Sequence, residues 1–158
     1  GIYEGVLVTL IHEFKYKNKD YLAELLAGLM LECLAQRGVD TDMIDLVIAI
    51  PLHAARLRER EYNQSQALAR LIAAALGKTT ATGLLIRQRD TRTQTSLDVT
   101  KRSENLKDAF RVLDTAALHN KRILLVDDVL TTGATVSEAG RALKEAGAAA
   151  VFVLTAAG

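Results

Sequence analysis

Residues 123–135, ILLVDDVLTTGAT, set two adjacent carboxylates ahead of a loop of small and hydroxyl-bearing residues. Asp127 and Asp128, when ionised, only accept hydrogen bonds, so the pair can take two donors from the hydroxyls of a ribose or help hold a hydrated divalent cation. Thr131, Thr132, Gly133, Ala134 and Thr135 follow with successive backbone N–H groups and little side-chain bulk, and Gly133 permits a backbone shape other residues resist. Such a loop running into a helix amino terminus favours an anion, because unsatisfied N–H groups and the helix dipole both point at it. Thr132 and Thr135 can add hydroxyl donors to the same phosphate. The combined chemistry is that of a sugar-phosphate site.

Three elements must position it. Ile123 to Val126 is an aliphatic run between Arg122 and Asp127, the pattern of a parallel strand covered on both faces, and open α/β sheets bind ligands at the carboxyl ends of such strands. Val136, Ala139, Leu143 and Ala146 recur at helical spacing after the loop, with Glu138 in the first turn, Lys144 near the last and Gly147 placed to end it. Ala149 to Leu154 is a second apolar run. Together these predict a βαβ unit with a right-handed crossover. A nucleotide hydrolase would need GxxxxGK[ST] before the acidic strand, and a dinucleotide fold would need GxGxxG; neither is present. A purely structural strand–turn–helix needs one capping residue and leaves paired acids and three threonines unexplained.

At 158 residues and 49% hydrophobic content, the chain suits one well-buried domain spanning 1–158. No apolar stretch approaches the length of a membrane span, and no signal peptide is visible. The one cysteine, Cys33, stands among Leu29, Met30 and Leu34 on a predicted helix. It reads as a buried thiol, which excludes an intrachain disulfide and points to a reducing, cytoplasmic compartment. The net charge of +1 conceals a division: residues 51–111 hold twelve Lys and Arg against six Asp and Glu, and the remainder eight against thirteen. Across one cleft, the basic half would neutralise a polyphosphate while the acids handle ribose and metal. Aromatics are 4% and are not interleaved with the basic residues, which argues against a base-stacking nucleic-acid surface.

Earlier in the chain, Tyr21 to Arg37 carries Leu22, Leu25, Leu26, Leu29, Met30, Cys33 and Leu34 on a helical stripe that ends near Gly38. Leu46 to Ile50 is strand-like and stops at the only proline, Pro51. Asn63 is placed to cap a helix with Gln66 at its third position, and Ala67, Leu68, Leu71, Ile72, Ala75 and Leu76 form its apolar face before Gly77. Leu84 to Ile86 begins another strand. Residues 88–101 show no sustained period and read as a loop. If the first strand lies beside the acidic one, the turn PLHAARLREREYNQ faces the same crevice, and its arginines can meet pyrophosphate oxygens with bidentate donors. Arg56, Arg58 and Arg60 cannot all face one ligand if helical. Arg60 is the preferred contact, with Arg56 on its side; for His53, a structural role outweighs a catalytic one.

The 123–135 segment resembles the phosphoribosyl-diphosphate (PRPP) motif of type I phosphoribosyltransferases. The order PLH, arginine-rich turn, YNQSQALA, RTQTSL, then Arg102, Asn105, Leu106, Ala109 and Phe110, then that motif, resembles the ComF (competence protein F) family over nearly the whole chain. The resemblance implies an α/β fold of three layers around a mostly parallel twisted sheet. It also implies ribose contacts from Asp127 and Asp128, 5-phosphate contacts from residues 131–135, and a pyrophosphate turn of Leu52, His53, Arg56 and Arg60. Mg2+ would lie near Asp127 and Asp128, partly through water. The reaction implied is displacement of pyrophosphate from PRPP by an unidentified nitrogen nucleophile. Arg60 would support the leaving group, and the 88–101 loop, with Arg92 and Gln94, would close over the site and become ordered with ligand. The alternative is a non-catalytic PRPP- or nucleotide-binding accessory protein linked to DNA uptake. No general base, nucleobase hood or ammonia-generating module is recognisable, and a homodimer is compatible with the pattern. Two departures stand out. Glu61 replaces the glycine of the family's RGFN, and the four-cysteine zinc ribbon of many members is absent, leaving no zinc site.

Overall fold

The computed structural model describes residues 6–14, 20–60, 62–89 and 106–158. Its centre is a parallel sheet of β1 (Leu46–Ala49), β2 (Thr79–Thr80), β5 (Arg122–Val129) and β6 (Ala150–Ala157), in the order β2-β1-β5-β6. A second, antiparallel pair consists of β3 (Leu85–Arg87) and β4 (Phe110–Val112). The helices are α1 (Val6–Phe14), α2 (Asp20–Gln36), α3 (Ala54–Arg60), α4 (Gln64–Leu76) and α5 (Ala134–Glu145).

Alternation along the two central strands builds two cores. Val47, Leu124 and Val126 pack with α1, α2 and α4, while Ile48, Ile123 and Leu125 pack with α5 and the β3–β4 pair. Both faces are covered, which is why these strands read as continuous aliphatic runs. The result is the three-layer α/β architecture expected from the sequence. The strand expected at Leu84 to Ile86 appears one residue later as β3, but β4 and the antiparallel pairing were not anticipated, because a long polar segment separates the two strands. Asp45 and Arg122 staple the amino ends of β1 and β5: Arg122 Nε and Nη2 donate to the two Asp45 oxygens at 2.9 and 2.8 Å, and its backbone N–H adds a third bond at 2.8 Å. That register carries through to Ala49 opposite Val126, so the two carboxyl ends emerge side by side.

Several expectations need correction. β5 does not end at the acids but runs through Val129, since Asp127 and Val129 keep their register with Thr155 and Ala157 of β6. Leu25 and Leu29 are 49% and 48% exposed, and Cys33 is half-buried rather than core, because the buried arc of α2 is carried by Leu22, Ala23, Leu26, Ala27, Met30 and Leu34. Asn63 does precede α4, but its side chain makes no capping bond. Glu138 lies beyond the first turn of α5 and joins Arg141 and the backbone N–H of Asp108 instead.

Candidate functional site

Asp127 and Asp128 stand near the carboxyl end of β5, where the sheet opens to ligands in folds of this class. They are not equivalent. Asp128 is half-buried, whereas Asp127 is only 8% exposed. The first turn of α4 covers it: Ser65 Oγ donates to Asp127 Oδ1 at 2.9 Å, and the backbone N–H of Asp128 donates to the same oxygen at 3.0 Å. Asp128 likewise turns Oδ1 back onto the N–H of Val129 at 3.0 Å. The bonds from Ser65 and from the Asp128 and Val129 backbone all fall on Oδ1 atoms, and the two carboxyls also interact with each other. Burial, and then the neighbouring Asp128 charge, push the Asp127 carboxyl up to about 7, against the opposing pull of the Ser65 bond. An arriving cation or a pair of hydroxyl donors would relieve that cost.

The loop that follows is pinned at its start, where the N–H of Leu130 bonds the carbonyl of Ala157 at 2.7 Å. Gly133 takes φ 74° and ψ −8°, a left-handed conformation disfavoured for residues with a Cβ, and its carbonyl receives the N–H of Ser137 at 2.9 Å. The first N–H groups of α5 therefore face outward at the loop with no partner inside the helix. Thr132 Oγ1 accepts only a long 3.4 Å bond from the Ala134 N–H, leaving its hydroxyl hydrogen to donate. Thr131 and Thr132 are exposed and Gly133, Ala134 and Thr135 half-buried, as a cradle open to one side requires.

The pyrophosphate turn expected after the first strand lies next door. The Ile50 N–H bonds the Val126 carbonyl at 2.9 Å, so β1 delivers Pro51, Leu52 and His53 beside the acids. Leu52, His53 and Arg56 are half-buried. His53 caps α3 by accepting the Ala55 N–H on Nδ1 at 3.3 Å, which favours the structural reading of this histidine. The arginines are helical, so Arg56 and Arg60 stand four positions apart while Arg58 turns elsewhere and is exposed. Arg60 closes α3. Glu61, Arg92, Gln94, Arg102, Asn105 and all of the expected 88–101 loop beyond Arg89 lie outside the described residues. Gln88 and Arg89 are already held, donating to the carbonyls of Asp108 and Lys107 at 2.8 and 2.9 Å.

Sequence reasoning missed Ser65. Gln64 and Ser65 are 2% and 5% exposed, four positions before Leu68 and Ala69 on the same buried stripe. Polar residues continuing an apolar stripe were the available signal, hidden because Asn-Gln-Ser also looks like an ordinary helix start. Asn63, read as a cap, instead donates Nδ2 to the Ile50 carbonyl at 3.2 Å.

For a divalent cation, no cluster of three His, Cys, Asp or Glu exists among the described residues. Two carboxylates suit Mg2+, which retains water and takes its remaining ligands from a phosphorylated substrate.

Comparison with known proteins bears on the family and the fold. Residues 61–157 match the phosphoribosyl transferase domain model. The chain is 36% identical over 154 residues to the DNA utilization protein YhgH of Salmonella typhimurium and 31% identical over 150 residues to competence protein F of Haemophilus influenzae. These alignments cover 96% and 93% of this chain and 66% of each relative, so the chain spans just under two thirds of their length. Among solved structures it resembles the glutamine PRPP amidotransferase of B. subtilis complexed with ADP and GMP, with a TM-score of 0.58 and 22% identity over 92% of this chain and 30% of that one. A second resemblance, to the allosteric regulatory enzyme of purine biosynthesis, has a TM-score of 0.59 and 21% identity, again over 92% and 30%. Acids, hydroxyl-rich loop and neighbouring turn thus occur together in a chain that belongs to the phosphoribosyl transferase domain family and is ComF-like in sequence.

Proposed function

We propose that residues 1–158 act as one phosphoribosyltransferase-like unit that binds PRPP and transfers its phosphoribosyl group to a nitrogen nucleophile, releasing pyrophosphate. The observation that carries this reading is the arrangement, at the carboxyl ends of the adjacent strands β1 and β5, of the Asp127–Asp128 pair, the Thr131–Thr135 loop and the turn after β1. In this reading the acids hold the ribose hydroxyls and the loop with the first turn of α5 holds the 5-phosphate. Leu52, His53, Arg56 and Arg60 surround the pyrophosphate. Displacement at the anomeric carbon passes through a cationic sugar, and negative charge grows on the departing pyrophosphate. Positioned cations therefore serve the reaction better than a covalent nucleophile. Arg60 would meet that charge, and Arg92 and Gln94 would complete the catalytic set. Mg2+ beside Asp127 and Asp128 would supply further charge neutralisation when bound. The acceptor is a nitrogen compound not identified by this chain's residues.

A second reading, a PRPP- or nucleotide-binding accessory protein, draws support from the names of the relatives, a DNA utilization protein and a competence protein. It would use the same site. We place either activity in a reducing cytoplasmic compartment; among the described residues no helix is long and apolar enough to cross a membrane. Incubation of PRPP and Mg2+ with a panel of nitrogen nucleophiles, measuring pyrophosphate release, separates the two. A transferase releases pyrophosphate with one acceptor class, and Arg60→Ala lowers that rate more than it weakens binding. Binding without turnover across the panel would favour the accessory role.

A further inference from the structure

We propose that the first turn of α4 is the positioning element of the ribose site, with Ser65 acting through Asp127 rather than on the ligand. This rests on the phosphoribosyl reading above and adds to it a residue that lies outside the 123–135 segment. A lone aspartate rotates broadly about its last torsion and presents either oxygen. Here Oδ1 receives two donors, Ser65 Oγ at 2.9 Å and the Asp128 N–H at 3.0 Å, which fix the carboxyl plane. Because the carboxylate can only accept, the serine hydroxyl must be the donor. Ser65 is 5% exposed and Asp127 8%, so bulk water cannot readily substitute for this bond.

The same turn also holds the neighbouring strand. Asn63 Nδ2 donates to the Ile50 carbonyl at 3.2 Å, at the point where β1 delivers the pyrophosphate turn. One helical turn thereby ties both strand ends: Asn63 the pyrophosphate side, Ser65 the ribose side. A site assembled before the ligand arrives loses less freedom on binding.

Calorimetric titration of the whole chain with PRPP and Mg2+ tests this. Ser65→Ala should weaken binding about ten- to a hundredfold, the usual worth of a hydrogen bond to a charged group. Ser65→Thr, which keeps the hydroxyl, should restore most of it. In an Asp127→Asn background, Ser65→Ala should change affinity less than twofold, since its effect passes through that carboxylate. Wild-type affinity in Ser65→Ala, or the same fold loss in both backgrounds, would overturn the proposal while leaving the phosphoribosyl reading intact. No binding by the wild-type chain would instead remove that reading, and this proposal with it. Should the alanine variant fail to fold, Ser65→Cys carries the same comparison, keeping the volume with a weaker donor.

Discussion

Asp127 is held where an ionised carboxylate is costly, and that cost has a pH signature. Burial raises its folded pKa from 3.8 to about 7, so between those values the folded state binds more protons than the unfolded state. Stability therefore falls as pH rises through this window, the reverse of an ion-paired aspartate. Asp127→Asn should stabilise the ligand-free protein at pH 8, with the gain fading towards pH 4. Thermal melts across that range, with chelator present, would show it. A variant less stable than wild type at pH 8 would mean the buried carboxylate is already compensated. The same residue shows what a sequence makes legible and what it does not. Two acids after an aliphatic run pointed to a candidate site, but nothing local showed that one of them is roofed by α4. That fact depends on Ser65, 62 positions away in the chain.

At the scale of elements, the site depends on two strands arriving in register. Asp45 and Arg122 set that register from the far end of the sheet, and the Arg122 side-chain bonds hold the Asp45 carboxyl well below the usual carboxylate range. A depressed carboxyl stabilises above its unfolded pKa and loses that contribution as pH falls through its folded value. Asp45→Asn should accordingly cost more stability at pH 7 than at pH 2, flattening the acid limb of the unfolding curve. Identical acid limbs for variant and wild type would show that the pair contributes nothing. A second brace joins α5 to the segment before β4. Glu138 accepts the N–H of Asp108 at 2.6 Å, at a residue held in a left-handed conformation with φ 57°, and Arg141 bonds both acids. Glu138→Gln should increase amide hydrogen exchange at residues 106–109 more than in β5; unchanged exchange there would assign the turn's order to its own backbone. These braces are invisible to periodicity, because each joins segments far apart in sequence. By contrast α2, α4 and α5 were legible from their apolar spacing, and the βαβ unit from its alternation of runs. β3 was legible from Leu84 to Ile86 but β4 and its pairing were not, since a strand of three residues leaves no periodic signal.

For the whole molecule, the strands are continuous apolar runs because both faces are covered, and that same covering leaves only their carboxyl ends for chemistry. A core built this way declares its fold class in composition and run length alone. The acceptor is another matter: it would be chosen by residues around the crevice, and irregular segments carry no pattern from which a partner can be read. The central claim is that the acids and the phosphate loop form one PRPP site. Isothermal calorimetry of the chain against PRPP, with and without Mg2+, tests it most directly, alongside the Asp127→Asn, Asp128→Asn double variant. We expect saturable binding with Mg2+, little without it, and a loss of about a hundredfold or more in a double variant that still melts cooperatively. Equal affinity in the double variant, or no binding by the wild-type chain with Mg2+, would contradict the account.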